Sequence, residues 1–324
     1  MPRNPQFMPE ESTKIEPVDM VRIWILTDNY YDALRADHAV AKRYRVTPGQ
    51  SIHAEHGLAY FVETVVDAQT STCVFDFGLD PGGIINNSKL LKIDLGGADA
   101  FVLSHGHFDH WTGAIEVLRQ NTGSAAEQAQ FYVGEEAFLR RYARRSGTDE
   151  LMDIGQLDRQ AIQESGVHVT EVTMPTQIIP GCYSTGRIER VTEYESVPPS
   201  LLVERDGKIQ SDDFRGEQAL FFNIRGKGLV VLSGCAHAGI VNTIKQAQRV
   251  AGIKKVHAVL GGFHLINAKP EIIQKTVSDI KEIGPDFIAP AHCTGFEAIV
   301  ACSKAMPKEF ILNTAGTQYT FSAS

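Results

Sequence analysis

The run His105-Gly106-His107-Phe108-Asp109-His110 constrains this chain more than any other segment. It sets three imidazoles and a carboxylate within six residues, directly after an apolar stretch, Ala100-Phe101-Val102-Leu103, that reads as a buried strand. Imidazole nitrogen and carboxylate oxygen are ligands that zinc, manganese and iron accept. In an extended segment, residues two apart share a face, so His105 and His107 can reach one ion together. Asp109 and His110 are neighbours and point differently, which suits a second ion close to the first. A fold that accommodates this loop must end a strand at an open edge.

The rest of the chain supplies an ample core for such a fold. Its 324 residues are 43% hydrophobic and 22% charged, the composition of a soluble globular protein. A net charge of −8 and a pI near 5.8 argue against a general nucleic-acid or anionic-membrane surface. They leave room for an anionic or phosphorylated small-molecule substrate, because a metal site carries its own positive charge. No run approaches the roughly 20 apolar residues of a membrane span. Residues 1–20 lack an apolar core, so they read as a flexible arm rather than a secretory signal, ahead of a single domain over 21–324. The five cysteines are odd in number and scattered, which fits free thiols in a reducing cytoplasm.

Strands are expected at Val21–Leu26, in a hairpin of Leu58–Val66 and Thr72–Phe77 turned by residues 67–71, at Ala98–Leu103 and at Gln130–Val133. Helices are expected over Ile85–Leu91, Thr112–Arg119 and Glu135–Arg144, with 146–165 polar and helical in part. The segment from Asp28 to His56 is too irregular to assign. The second half repeats the plan. Its strands are Val167–Val172, Gln177–Ile179, a hairpin around 205–208, Ala219–Ile224, Leu229–Leu232, Val256–Leu260, Phe287–Ala289, Phe310–Asn313 and Gln318–Phe321. Helices at Ile240–Val250, Pro270–Ile283 and Phe296–Met306 alternate with them. This order suits an α+β fold of four layers, αββα, in which two mixed sheets lie between helices. Histidines end strands in both halves, so they would line one edge where the sheets meet.

HGHFDH, entered by Val-Leu-Ser and followed by Trp111-Thr112-Gly113, resembles the metal-binding signature of the metallo-β-lactamase-fold superfamily. The resemblance runs from about Leu58 to the C-terminus and implies one or two bound ions, zinc most often, with manganese or iron as alternatives. It implies that Asp76 supports the metal loop from behind and that His292, in Pro-Ala-His-Cys-Thr-Gly, is the last ligand. The superfamily's Gly-His-Thr-Pro-Gly ligand stretch is absent, and Cys235 occupies the position of its bridging aspartate. His237, two residues on, can supply the missing imidazole, with Cys235 a thiolate ligand or a contact just outside the ligand shell. Glu55-His56-Gly57-Leu58, Asp213-Phe214 with Glu217-Gln218-Ala219-Leu220, SGCAHAGIVN, GGFHL and HCTG are similar to a subgroup of metal-dependent hydrolases. A named relative there is the archaeal dihydropterin-ribofuranosylaminobenzene phosphate synthase, which releases diphosphate.

The expected metal ligands are therefore His105, His107, Asp109, His110, His237 and His292. His264, in Gly-Gly-Phe-His-Leu, also ends a strand, and the choice between it and His292 as last ligand stays open here. Asp109 and His264 are the catalytic candidates, and His56 and His264 the substrate-binding ones. The pairs Arg140-Arg141 and Arg144-Arg145 recur at helical spacing and read as a solvated face. The helix starts at Gly239 and Thr294-Gly295 could aim backbone amides at a phosphate. The leading expectation is hydrolysis of an ester, lactone or phosphoester by a water whose pKa the metal lowers. The alternatives are a transferase releasing diphosphate and an iron-containing redox or ligand-binding protein.

Overall fold

A computed structural model of the chain describes residues 15–120, 129–145 and 147–323. The hairpin Ala59–Val66/Gln69–Phe77 forms the centre of the first sheet. Its turn is Asp67-Ala68 alone, both left-handed at φ 47° and 63°, shorter than the 67–71 turn expected. Positive φ at both turn residues matches the right-handed twist of the flanking strands. Strand alternation then sorts the side chains. Tyr60, Val62, Cys73 and Phe75 point to the middle of the molecule, and Phe61, Val74 and Phe77 point to the helices outside. The complete sheet has eight strands, in the order 168–172, 130–134, 100–102, 69–77, 59–66, 20–27, 317–322 and 41–43.

The second sheet runs 176–179, 182–184, 220–224, 228–233, 256–262 and 287–291, with Pro17–Val18 added parallel to Asn223–Ile224. Leu220, Phe222, Val230, Leu232 and Leu260 meet the first sheet in one continuous core. On the other face Val231 and Val259 pack under helices Ile240–Ala251, Pro270–Ile283 and Phe296–Ala305. Ile240, Ile244 and Ala247 recur at helical spacing, and left-handed Gly252 stops that helix. The architecture is thus helix–sheet–sheet–helix, the αββα sandwich expected.

A four-stranded sheet, ordered 208–211, 201–205, 141–144 and 151–155, stands apart from the sandwich and corrects two expectations. Residues 135–138 form a turn and Arg141–Arg144 a strand, so no helix covers 135–144. Arg141 is buried rather than on a solvated face: its Nε donates to Asp212 Oδ2 at 2.8 Å and its Nη2 to Glu136 O at 3.1 Å. Helical spacing could not foresee a partner 71 residues away. Within 146–165 the only helix among the described residues is Arg159–Glu164, capped by Asp158, after a strand at Leu151–Gly155. Strand Cys182–Ser184 was not foreseen, and Phe310 makes a single bridge to Ile288 instead of a strand. Of the expected arm, residues 1–14 lie outside the described residues; Pro17–Val18 and Met20 belong to strands.

Among the described residues no helix is long and apolar enough to cross a membrane. The strands ending at Phe77, Val102, Ser233, Gly262 and Ala291 deliver their following loops to one edge, where the titratable side chains gather.

Candidate metal centre

Asp76 organises the first half of the centre. It is fully buried in a left-handed conformation at φ 60°. Its Oδ1 accepts from Ser104 N, and its Oδ2 from Ser104 Oγ and His110 Nδ1, all at 2.7 Å. A carboxylate only accepts, so the Ser104 hydroxyl proton is committed to Asp76. Ser104 Oγ, 2.9 Å from His105 Nδ1, must then accept from that ring. His105 and His110 therefore both carry a proton on Nδ1 and turn Nε2 to the centre. This second layer of hydrogen bonds fixes tautomer and aim, as around histidine ligands in metal sites.

The second half contributes His237 and His292. Glu217 clamps the loop after strand 228–233 by accepting from His237 N and Ala238 N, both at 2.6 Å. His237 Nε2 then lies 3.2 Å from His105 Nε2, and donor atoms of His105, His107 and His237 all fall within 4.8 Å of one another. Phe214 stacks on the His237 ring at 3.8 Å. His292 is held by the segment after the first strand. Asp28 Oδ1 accepts from His292 N at 2.9 Å, and Asn29 Oδ1 lies 3.1 Å from His292 Nδ1. Since Asn29 Nδ2 donates to His292 O at 3.3 Å, its Oδ1 faces the ring as an acceptor, leaving His292 Nε2 bare.

His292 Nε2 stands 3.2 Å from Asp109 Oδ2. His110 Nε2 is 4.0 Å from the same oxygen and 3.1 Å from Cys235 Sγ. His56, at the exposed mouth, approaches it to 3.5 Å. Donor groups thus adjoin: His105 with His107 and His237, His105 with His110 and Cys235, and Asp109 with His292 and His56, Cys235 also lying near His292 and Cys293. His264 takes a different place. Its ring lies 4.0 Å from that of His237, with φ 42°, and neither ring nitrogen has a partner. Between the two candidates for last ligand, the one beside Asp109 is His292.

Electrostatics favour the same donor set. Burial holds His105 and His237 well below the usual imidazole range, His107 at about 3 and His264 at about 4, so these rings are neutral. Burial alone would raise Asp109, but His110 and His292 keep it ionised. For His110, burial is outweighed by Asp76, which raises it. Buried His237 Nδ1, His292 Nε2 and both nitrogens of His264 make no hydrogen bond. The unpartnered His292 Nε2 beside Asp109 and the facing Nε2 atoms of His105 and His237 are costly in a dry interior. They fit a divalent cation.

One expected anion site is already filled. Val241 N and Asn242 N, at the start of helix Ile240–Ala251, donate to Glu195 at 2.9 Å each. They are not free for a substrate phosphate. The Thr294 hydroxyl is likewise engaged, accepting from Phe263 N and donating to Ala291 O. Asp28 and Asn29 were missed by sequence reasoning, and the adjoining Asp28-Asn29 pair at a strand exit was the available signal; Phe214 belonged to a motif of the resemblance but was given no role.

No family profile matches the sequence. The chain is 31% identical over 251 residues to the 7,8-dihydropterin-6-methyl-4-(β-D-ribofuranosyl)-aminobenzene-5′-phosphate synthase of Methanocaldococcus jannaschii, covering 76% of this chain and 83% of that protein. Its fold is similar to a crystal structure described as a metal-dependent hydrolase of the β-lactamase superfamily, with a TM-score of 0.70 and 24% identity over 94% of this chain and 100% of that one. The metallo-β-lactamase fold protein YhfI from Bacillus subtilis superposes with a TM-score of 0.51 at 11% identity, over 94% of this chain and 100% of its own.

Proposed function

From its membership of the metallo-β-lactamase superfamily, in the family of the M. jannaschii synthase, we propose that this chain is a zinc-dependent hydrolase of an ester, lactone or phosphoester. The observation that carries the reading is the adjoining imidazoles: His105, His107 and His237 together, and His110 and His292 beside Asp109. His105, His107 and His237 would hold one ion, and Asp109, His110 and His292 a second, with Cys235 beside it. Bound there, zinc supplies Lewis acidity, which polarises the scissile group and acidifies water.

The chain's own residues do the rest. Asp109, held ionised beside His110 and His292, would orient the attacking water by accepting a hydrogen bond from it. Asp76 and Ser104 keep His105 and His110 in their Nδ1–H tautomers. His264, neutral and with neither nitrogen engaged, is placed to donate one N–H to the oxyanion or leaving group. His56 at the mouth contacts the substrate as it enters. The buried free thiols are compatible with a reducing cytoplasm.

Two measurements test this. Metal analysis of protein purified without added metal should give two zinc ions per chain. The variant His107→Ala should keep the wild-type circular dichroism spectrum and lose turnover of a phosphodiester or ester by about a hundredfold or more, the scale of losing a preorganised electrostatic stabiliser. Full turnover in that variant would reject the reading. A second reading, a transferase that releases diphosphate, draws support from the 31%-identical relative's being a synthase. Diphosphate appearing only when an acceptor is supplied would select it.

A further inference from the structure

A cleft of about 510 Å³ opens from His237 and His264, between the segment Tyr194–Leu201 and the segment Phe263–Lys269. That volume lies within the range of roughly 300–1,000 Å³ typical of small-molecule sites. Val197, Leu201, Ile266 and Ile272 give it a mostly apolar wall, interrupted by Ser200, Asn267 and Lys269. Ile266 is 43% exposed, an open apolar surface on the rim of the centre. Two of its polar side chains are engaged elsewhere, while Lys269 stays exposed on the lining. Glu195 is bound by Thr192 Oγ1 and by the amides of Val241 and Asn242. Tyr194 turns its hydroxyl to Asp279 at 2.8 Å and its ring face to Lys275.

The inner end differs sharply from these walls. There His264 presents two unpartnered ring nitrogens beside His237, whose Nδ1 is also unpartnered. A polar, reactive end thus leads straight into an apolar channel. Resting on the hydrolase reading for the chemistry at that end, we propose that the substrate carries an apolar acyl or aryl arm which lies in this cleft. Val197, Leu201, Ile266 and Ile272 select it by size and hydrophobicity. Desolvation of the arm supplies the binding energy, while His264 meets the polar group at its root.

The test uses zinc-loaded protein and the n-alkyl carboxylates from acetate to octanoate as product analogues, with affinity measured by titration calorimetry. Each methylene that enters an apolar site should tighten binding about fourfold, until the cleft is filled. Ile266→Asp, at an exposed position that tolerates charge in the fold, should flatten this dependence, and Ala268→Trp should shorten the chain length at which it stops. In parallel, p-nitrophenyl esters from acetate to octanoate are assayed for turnover. A steep binding series without turnover of these esters or of a p-nitrophenyl phosphodiester run beside them would keep the apolar subsite and remove the hydrolase reading. Turnover with a flat binding series would keep the hydrolase and overturn the subsite. A steep series unchanged in both variants would also overturn it.

Discussion

At the scale of single residues, the centre depends on groups that never face the substrate. Asp76 fixes two rings at once, and Asn29 fixes a third. Removing such a supporting partner typically weakens metal binding about 10- to 100-fold. Asp76→Asn and Asn29→Ala should therefore show zinc affinities reduced on that scale in a competition titration against a chelating dye; unchanged affinity would contradict the tautomer assignment. His264 offers a proton-linked check on metal-free protein. Its folded pKa is about 4, lowered by burial, against about 6.5 when unfolded. A depressed base leaves the unfolded state binding more protons, so its contribution to stability is whole above about pH 6.5 and is lost as pH falls toward 4. In urea titrations of chelated protein, His264→Gln should flatten the pH dependence across that window. An equal slope in both proteins would show that the ring titrates normally in the fold.

At the scale of elements, periodicity revealed what local burial dictates and missed what distant partners dictate. Strand 100–102, the loop after it and helix Ile240–Ala251 were legible because their apolar residues alternate or recur at helical spacing. Strand Arg141–Arg144 was not, because Arg141 is held there by Asp212 and by carbonyls rather than by its own neighbours. The six expected ligands could be read from residue type at strand ends, and the structure gathers all of them at one edge. Their supports Asp28 and Asn29 lay in a stretch with no period to read. The same buried pair makes a prediction about the small sheet. Asp212→Ala leaves Arg141 charged and unpaired in the interior, a loss of about 3–5 kcal/mol that urea denaturation should register. A change below about 1 kcal/mol, the scale of an exposed pair, would show that the sheet is not anchored there.

At the scale of the whole molecule, the two halves of the chain meet through a shared apolar core and through the gathered donor groups. His105, His107, Asp109 and His110 come from the first sheet's side; His237 and His292 come from the second's. An ion that binds only the folded arrangement stabilises it by mass action, by about 2.7 kcal/mol at a hundred times its dissociation constant. Chelation should therefore lower the thermal midpoint, and added zinc should restore it in a concentration-dependent way. A midpoint indifferent to zinc would mean that no donor group retains the ion. Because the donors straddle the seam between the sheets, the ion would behave as a rivet through two plates. Damage to the plates far from the rivet, such as a shortened side chain at Val230 or Leu260, would surface as metal hunger: a variant that fails in zinc-poor medium and recovers in zinc-rich medium with its chemistry untouched.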